Sequence, residues 1–372
     1  MSAPKGKWRA IQAFLRSLPI FVWVLYGLAL VGLLLYGLFC LFPAFADGYN
    51  RYIGSVVRAF FATLTGWIPF SLAEFLLLML PVLVAVLFWV GVKRYADSWR
   101  DVLIYCVTIL SLLAYLFSVF ALGFAAGYRG SSLDEKLGLP AEKVSAEDLY
   151  GTAMWLVDEL NDHSVETVYG KDHFSVMPYD LNGMNDRLMA AYDKACERYP
   201  FLQRLHSRIK PVMLSYPMSY THITGVYTFF TGEANLNVDF PDYTLPFTAA
   251  HELAHQRGIA RENEANFMAF LVCMESEDPY LQYCAYLNLY DYVIGALSSA
   301  DGTLYGRVQG SLCADVRNER VAYRNFYATY QDSVASQVSG AVNNTYLTIQ
   351  GTEGTKSYGM VVDLAVAYWK HW

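Results

Sequence analysis

Thr248-Ala249-Ala250-His251-Glu252-Leu253-Ala254-His255-Gln256-Arg257-Gly258 is the stretch on which the reading of this chain turns. On a helix, His251 and His255 lie four residues apart, so both imidazoles leave one face and can share a metal ion. Glu252 then lies beside the coordination position they leave open. Pro241 and Pro246 precede the motif, Pro246 suits the first helical turn, and no other Gly or Pro follows before Gly258. Gly258 stands where a glycine would end the helix and turn the chain back. Phe247, Ala249, Ala250, Leu253 and Ala254 make this helix largely apolar. Uncompensated His and Glu would be costly there, which favours a metal centre over a solvated surface helix.

The next turn, Arg261-Glu262-Asn263-Glu264-Ala265-Asn266-Phe267, offers two carboxylates as a third ligand. Glu262 is preferred to Glu264, because Glu262 and Asn266 are spaced i,i+4 on a second predicted helix running from Glu262 to about Met274. One of them could reach the metal while the other bonds the far nitrogen of a ligand histidine. Glu264 would face nearly the opposite side of that helix.

His251-Glu252-x-x-His255 is the arrangement of zinc hydrolases, and Glu262-x-x-Ala265-Asn266 is similar to the Glu-x-x-Ala-Asp of membrane-bound zinc endopeptidases in the glutamate-zincin class. That resemblance implies Glu262 as ligand and Asn266 as its supporting partner, with Asn orienting the histidine less strongly than Asp. The two helices are closer in sequence than that class usually has them. Gly258 resembles the His-x-x-Gly-x-x-His turn of metzincins, but position 261 is Arg261 rather than His, so that assignment fails at its third ligand. Taken whole, the chain resembles an uncharacterised bacterial family of membrane proteins with a domain of unknown function. The likeness lies in three hydrophobic segments, the stretch from Tyr220 to Phe270 and the segment from Gly354 to Leu364, and it implies no activity.

With 372 residues, 55% hydrophobic and 16% aromatic, the chain is too apolar for an ordinary soluble protein, and the excess lies in its first third. Pro19–Phe42, Phe70–Val92 and Val102–Ala126 are each long enough to cross a bilayer. The first exceeds a signal peptide's hydrophobic region, and Phe42-Pro43-Ala44-Phe45-Ala46 is a weak cleavage site, so it is read as a retained span. Lys5, Lys7, Arg9 and Arg16 before it, with Lys93, Arg94 and Arg100 between the second and third, place those segments inside and everything from about Tyr128 outside the cytoplasm. Residues 1–126 carry nine Lys/Arg against four Asp/Glu, leaving −12 of the total −7 for residues 127–372. An acidic outer domain argues against nucleic acid as a partner.

Between the first two spans, Tyr52, Ile53, Val56, Val57, Phe60, Phe61 and Leu64 recur at helical spacing. That stretch fits either the membrane surface or a cap on the outer domain. Glu74, just inside the second span, reads as an interfacial residue with access to water. Cys40 and Cys106 fall in spans, while Cys196, Cys273, Cys284 and Cys313 would allow two disulfides of undetermined pairing.

In the outer domain, residues 128–372, Gly127–Val144 reads as a linker. Ser145-Ala146-Glu147-Asp148 opens a helix, and further helices are expected over Leu181–Tyr199, Phe201–Lys210, Pro279–Ser299 and Ser311 to about Val338. Ile223–Phe230 and Ala234–Val238 read as two short strands around Thr231-Gly232-Glu233, whose exposed edge could take an extended peptide. His222, just before them, is either an oxyanion stabiliser or, by default, a structural hydrogen-bonding residue. Tyr227 and Tyr358 carry the same default. Gly351–Trp372 reads as a terminal helix that docks on the domain or touches the bilayer.

The expected fold is α+β, with N-terminal transmembrane helices followed by a mainly helical, zincin-like domain with a small sheet. The expected activity is zinc-dependent hydrolysis of a peptide or protein substrate. His251, His255 and Glu262 would hold the zinc, whose fourth position carries a water of pKa around 7. Glu252 would act as general base. The competing expectation is a non-catalytic zinc-binding receptor or scaffold.

Overall fold

The computed structural model describes residues 4–331, 333–350 and 360–371; the expectations placed on Gly354 and Tyr358 lie outside them. The molecule is mostly helical, with one small sheet.

Three helices, Ile20–Leu41, Leu72–Arg94 and Trp99–Gly123, are long and apolar enough to cross a membrane. The starts of the last two follow from local chemistry. The Ser71 and Ser98 side chains accept from the backbone N–H groups of Glu74 and Asp101, respectively, satisfying donors that a helix start leaves free. The first and third helices pack together, because Gly32 lets the backbone approach Ala121. The Tyr26 hydroxyl donates across the same pair to the Val107 carbonyl at 2.9 Å. The second helix buries none of its residues.

Its upper end is nevertheless fixed. The backbone N–H groups of Leu72 and Ala73 donate to Glu233 at 3.0 and 2.9 Å, and Lys210 pairs with Glu233 at 2.6 Å. In return the Glu74 carboxylate accepts from the backbone of Met213 and Leu214. Glu74 is therefore a tie between an apolar helix and the sheet region.

The sheet has three strands in the order β1-β3-β2, with β1 Lys210–Pro211, β2 Gly225–Thr228 and β3 Glu233–Leu236. β1 runs parallel to β3, and β2 pairs antiparallel with β3, Val226 opposite Asn235. Helices Ala146–Ser164, Leu181–Arg198, Thr244–Gln256, Glu262–Met274 and Pro279–Ala300 surround one continuous apolar core, which Val361–His371 joins through Val361, Val362 and Leu364. Ser145 and Asp148 form a reciprocal capping box at the start of the first of these.

Three expectations need correction. Residues 201–209 are irregular rather than helical, because side chains take over their backbone groups. Asn185 bonds both the N–H and the C=O of Ile209, and Arg257 takes the Leu205 carbonyl. The helix expected over Ser311–Val338 is divided, with elements at Gly302–Ser311, Ala314–Ala328 and Val334–Ile349. Asn161 holds the first break open, donating to the Ser311 carbonyl and accepting from the Cys313 N–H. The stretch read as a linker contains a short helix, Leu133–Leu137, closed by Gly138 at φ 69°, and Ala125–Tyr128 is fully buried. All six cysteines are free.

Candidate metal centre

The motif helix, Thr244–Gln256, ends at Gly258 through two reversed hydrogen bonds. The Gly258 N–H donates to the His255 carbonyl at 3.0 Å and the Ile259 N–H to the Ala254 carbonyl at 3.1 Å. This is the Schellman arrangement, and it requires the positive φ of 94° that Gly258 adopts. The same turn delivers the Ile259 carbonyl to Nδ1 of His255 at 2.7 Å. A backbone group thus fixes the tautomer that leaves Nε2 of His255 free as a ligand.

Arg261 then adopts an extended conformation and Glu262 begins the next helix, Glu262–Met274, which packs against the first. Glu262 meets both imidazoles, Oε2 at 3.3 Å from His251 Nε2 and Oε1 at 3.6 Å from His255 Nε2. One ligand atom from each of His251, His255 and Glu262 lies within 4.8 Å of the other two. Among the described residues no fourth His, Cys, Asp or Glu joins this group. Two neutral imidazoles and one carboxylate around an open position suit a divalent ion such as zinc. Glu264 is used elsewhere: buried, it accepts from Arg261 at 2.7 Å and from the Leu133 N–H at 3.0 Å.

Burial pushes the Glu252 carboxyl pKa up against the opposing pull of His251 and His255. Burial acts in the same direction on Glu262, but His255 and His251 outweigh it and hold that carboxyl well below its usual range. Burial disfavours the charged form of His255, yet Glu262 overrides it and raises the pKa to about 9. A raised His255 pKa beside the Glu262 carboxylate favours a protonated His255 in the absence of metal, a proton that a metal would displace.

The support around the two histidines is uneven. Nδ1 of His251 is buried without a hydrogen-bond partner, and the Asn266 amide lies beside the Tyr292 hydroxyl rather than on a ligand histidine. His222 adopts a positive φ of 59°. Its Nδ1 meets the Tyr327 hydroxyl at 2.8 Å and its Nε2 the Tyr330 carbonyl at 3.0 Å. Both ring nitrogens are thus committed to the Ala314–Ala328 helix and the turn that follows it.

Several participants have little or no sequence signal. β2 crosses so close to the motif that a Cβ on Gly225 would meet Glu252 Cγ at 2.7 Å; a glycine inside a strand is the single hint. The Tyr227 backbone donates to Glu252. Phe124, which ends the third apolar helix, packs its ring 6.1 Å from that of His255. Arg58 is buried and reaches Gln203, both Asn50 oxygens and the Gly123 carbonyl. Burial lowers its pKa to about 10. Asn50 in turn donates to the Gly258 carbonyl at 3.0 Å. Apart from the Arg58–Asn50 pair, eight residues apart, the contacts of these two side chains join residues 65 to 208 positions apart, and no pattern in the sequence announces them.

Residues 49–366 match the model of a family described as Protein of unknown function (DUF3810), and the chain belongs to that family. No curated protein and no solved structure matches it. The matched region begins at Tyr49, so it takes in Asn50, Arg58 and the whole metal centre but not the first apolar helix.

Proposed function

We propose that this chain is a membrane-anchored, zinc-dependent metallopeptidase of zincin-like design, held by three spans with its catalytic part outside the cytoplasm. The observation that carries this reading is the convergence of His251, His255 and Glu262 within 4.8 Å, one residue from the buried carboxylate of Glu252. The basic residues before the first apolar helix and between the other two support the orientation.

His251, His255 and Glu262 would hold the ion. When bound, zinc supplies Lewis acidity that polarises a carbonyl and brings the pKa of water to around 7. Glu252 takes the proton of the attacking water and passes it to the leaving amine, a role suited to a carboxylate whose proton affinity burial raises. The Ile259 carbonyl keeps His255 in the tautomer that presents Nε2. β2 lies at the sheet edge beside Glu252, where an extended peptide could add as a strand.

The test uses the full chain in detergent or nanodiscs. Bound metal is expected to be lost in His251→Ala and Glu262→Ala, while Glu252→Gln keeps the metal and loses hydrolysis by about a thousand-fold. Turnover retained in Glu252→Gln would overturn the mechanism. The unpartnered Nδ1 of His251 favours the second reading, a non-catalytic zinc-binding receptor or scaffold. For that reading wild type and Glu252→Gln would bind metal and behave alike.

A further inference from the structure

Residues 50–67 form a helical stretch with two opposed faces. Gly54, Arg58, Ala62 and Thr65 are buried against the rest of the molecule. Ile53, Val56, Phe60, Leu64 and Trp67, on the other face, are 52–87% exposed. Their spacing of three and four residues makes one straight apolar stripe. The stretch has almost no slack. A single residue, Phe42, separates the first apolar helix from the short helix Pro43–Tyr49 that leads into it, and residues 67–71 connect it to the second. An amphipathic stretch tied this closely to two candidate spans has the geometry of an interfacial helix.

The buried face is bound to the metal centre. Arg58 clamps the Gly123 carbonyl at the end of the third apolar helix, and Asn50 clamps the Gly258 carbonyl of the motif turn. A Cβ on Gly127, just past that helix, would meet the Gly258 oxygen at 2.7 Å. The ring of Phe124 contacts His255 itself. One ring contact thus separates a candidate ligand from the end of a membrane-crossing helix.

We propose that the stripe Ile53, Val56, Phe60, Leu64 and Trp67 rests in the bilayer interface and fixes the His251–His255–Glu262 centre at headgroup level. The polypeptide it acts on is then itself membrane-anchored, with the target bond within a few residues of the bilayer. The substrate class rests on the peptidase reading; the placement at the membrane does not.

Two measurements on the full chain in nanodiscs of phosphatidylethanolamine and phosphatidylglycerol test this. First, a photoreactive benzoylphenylalanine is placed at Phe60 or Trp67, with exposed Val165 as control. Lipid adducts at the first two positions and none at Val165 are expected. Crosslinks to a second copy, or no adduct at the stripe, would overturn the placement. Second, a randomised peptide library is offered either free or joined by a short linker to a single transmembrane helix. The anchored form should be cut faster by about a hundred-fold, the gain that tethering provides. Equal cleavage of both would overturn the substrate class while leaving the peptidase reading intact. Cleavage of neither by metal-loaded protein would overturn the peptidase reading and the substrate class with it, and the lipid adducts would still decide the placement.

Discussion

His251 and His255 leave the same face of one helix, yet the molecule treats them differently. His255 is braced on two sides, by the Ile259 carbonyl at Nδ1 and by the Phe124 ring. His251 has a buried Nδ1 with no partner, and Asn266, one turn beyond Glu262, has its amide beside the Tyr292 hydroxyl. The braced histidine faces the apolar helices and the turn that Arg58 and Asn50 hold; the other, less buried, meets Glu262 and the ring of His255. The site is thus pre-organised from the side of the apolar helices, while its second histidine lacks a partner that would orient it.

The most direct way to break the braced side is Gly258→Ala. The φ of 94° disfavours any side chain, and the new Cβ would come within 2.6 Å of Arg58 Nη2. Strain and crowding together should cost roughly 3 kcal/mol in chemical denaturation. Because the Ile259 carbonyl moves with the turn, metal affinity should also fall by up to about a hundred-fold. Unchanged affinity in a destabilised protein would detach the turn from the centre.

The ion pair of His255 and Glu262 sharpens the comparison next. With the His255 pKa near 9, a metal must displace a proton at any lower pH. Apparent affinity in a chelator competition should therefore rise about ten-fold per pH unit up to about pH 9 and level off above it. A flat profile between about pH 6 and pH 9 would remove the ion pair from the metal-free state.

The braced and unbraced sides also differ in how far they could be read from the sequence. His251, Glu252, His255, the C′ glycine and a helix opening at Glu262 all rest on spacings within one or two turns, where periodicity and end signals operate. The apolar helices, the Ser145 start and the small sheet are legible for the same reason. The Ile259 carbonyl is a backbone group with no side-chain signature, and Phe124, Arg58 and Asn50 reach the site only through the tertiary fold. The irregular stretch 201–209 and the break at Leu312 share that cause. Asn185, Arg257 and Asn161 satisfy the backbone from afar and override local helical preference.

Asn266→Asp tests the weak side by strengthening it. A carboxylate is a stronger acceptor than the amide oxygen, and if residue 266 serves His251 Nδ1 in the metal-bound protein, metal affinity should rise by about ten-fold. No gain would place residue 266 outside the support of His251.

The smallest effect on the centre is expected at Glu264, the carboxylate that competes with Glu262 on sequence alone. It accepts from the Leu133 N–H and Arg261 while buried, so its work is to stitch the stretch after the third apolar helix onto the Glu262–Met274 helix. Glu264→Gln keeps one acceptor for the Leu133 N–H but loses the charged bond to Arg261, which retains the Tyr128 and Gly130 carbonyls. Stability should drop by about 1–2 kcal/mol, and bound metal should not change. Metal lost from Glu264→Gln and kept in Glu262→Gln would exchange the roles of the two residues. The bracing of His255 would then have to come from a different arrangement of the whole turn.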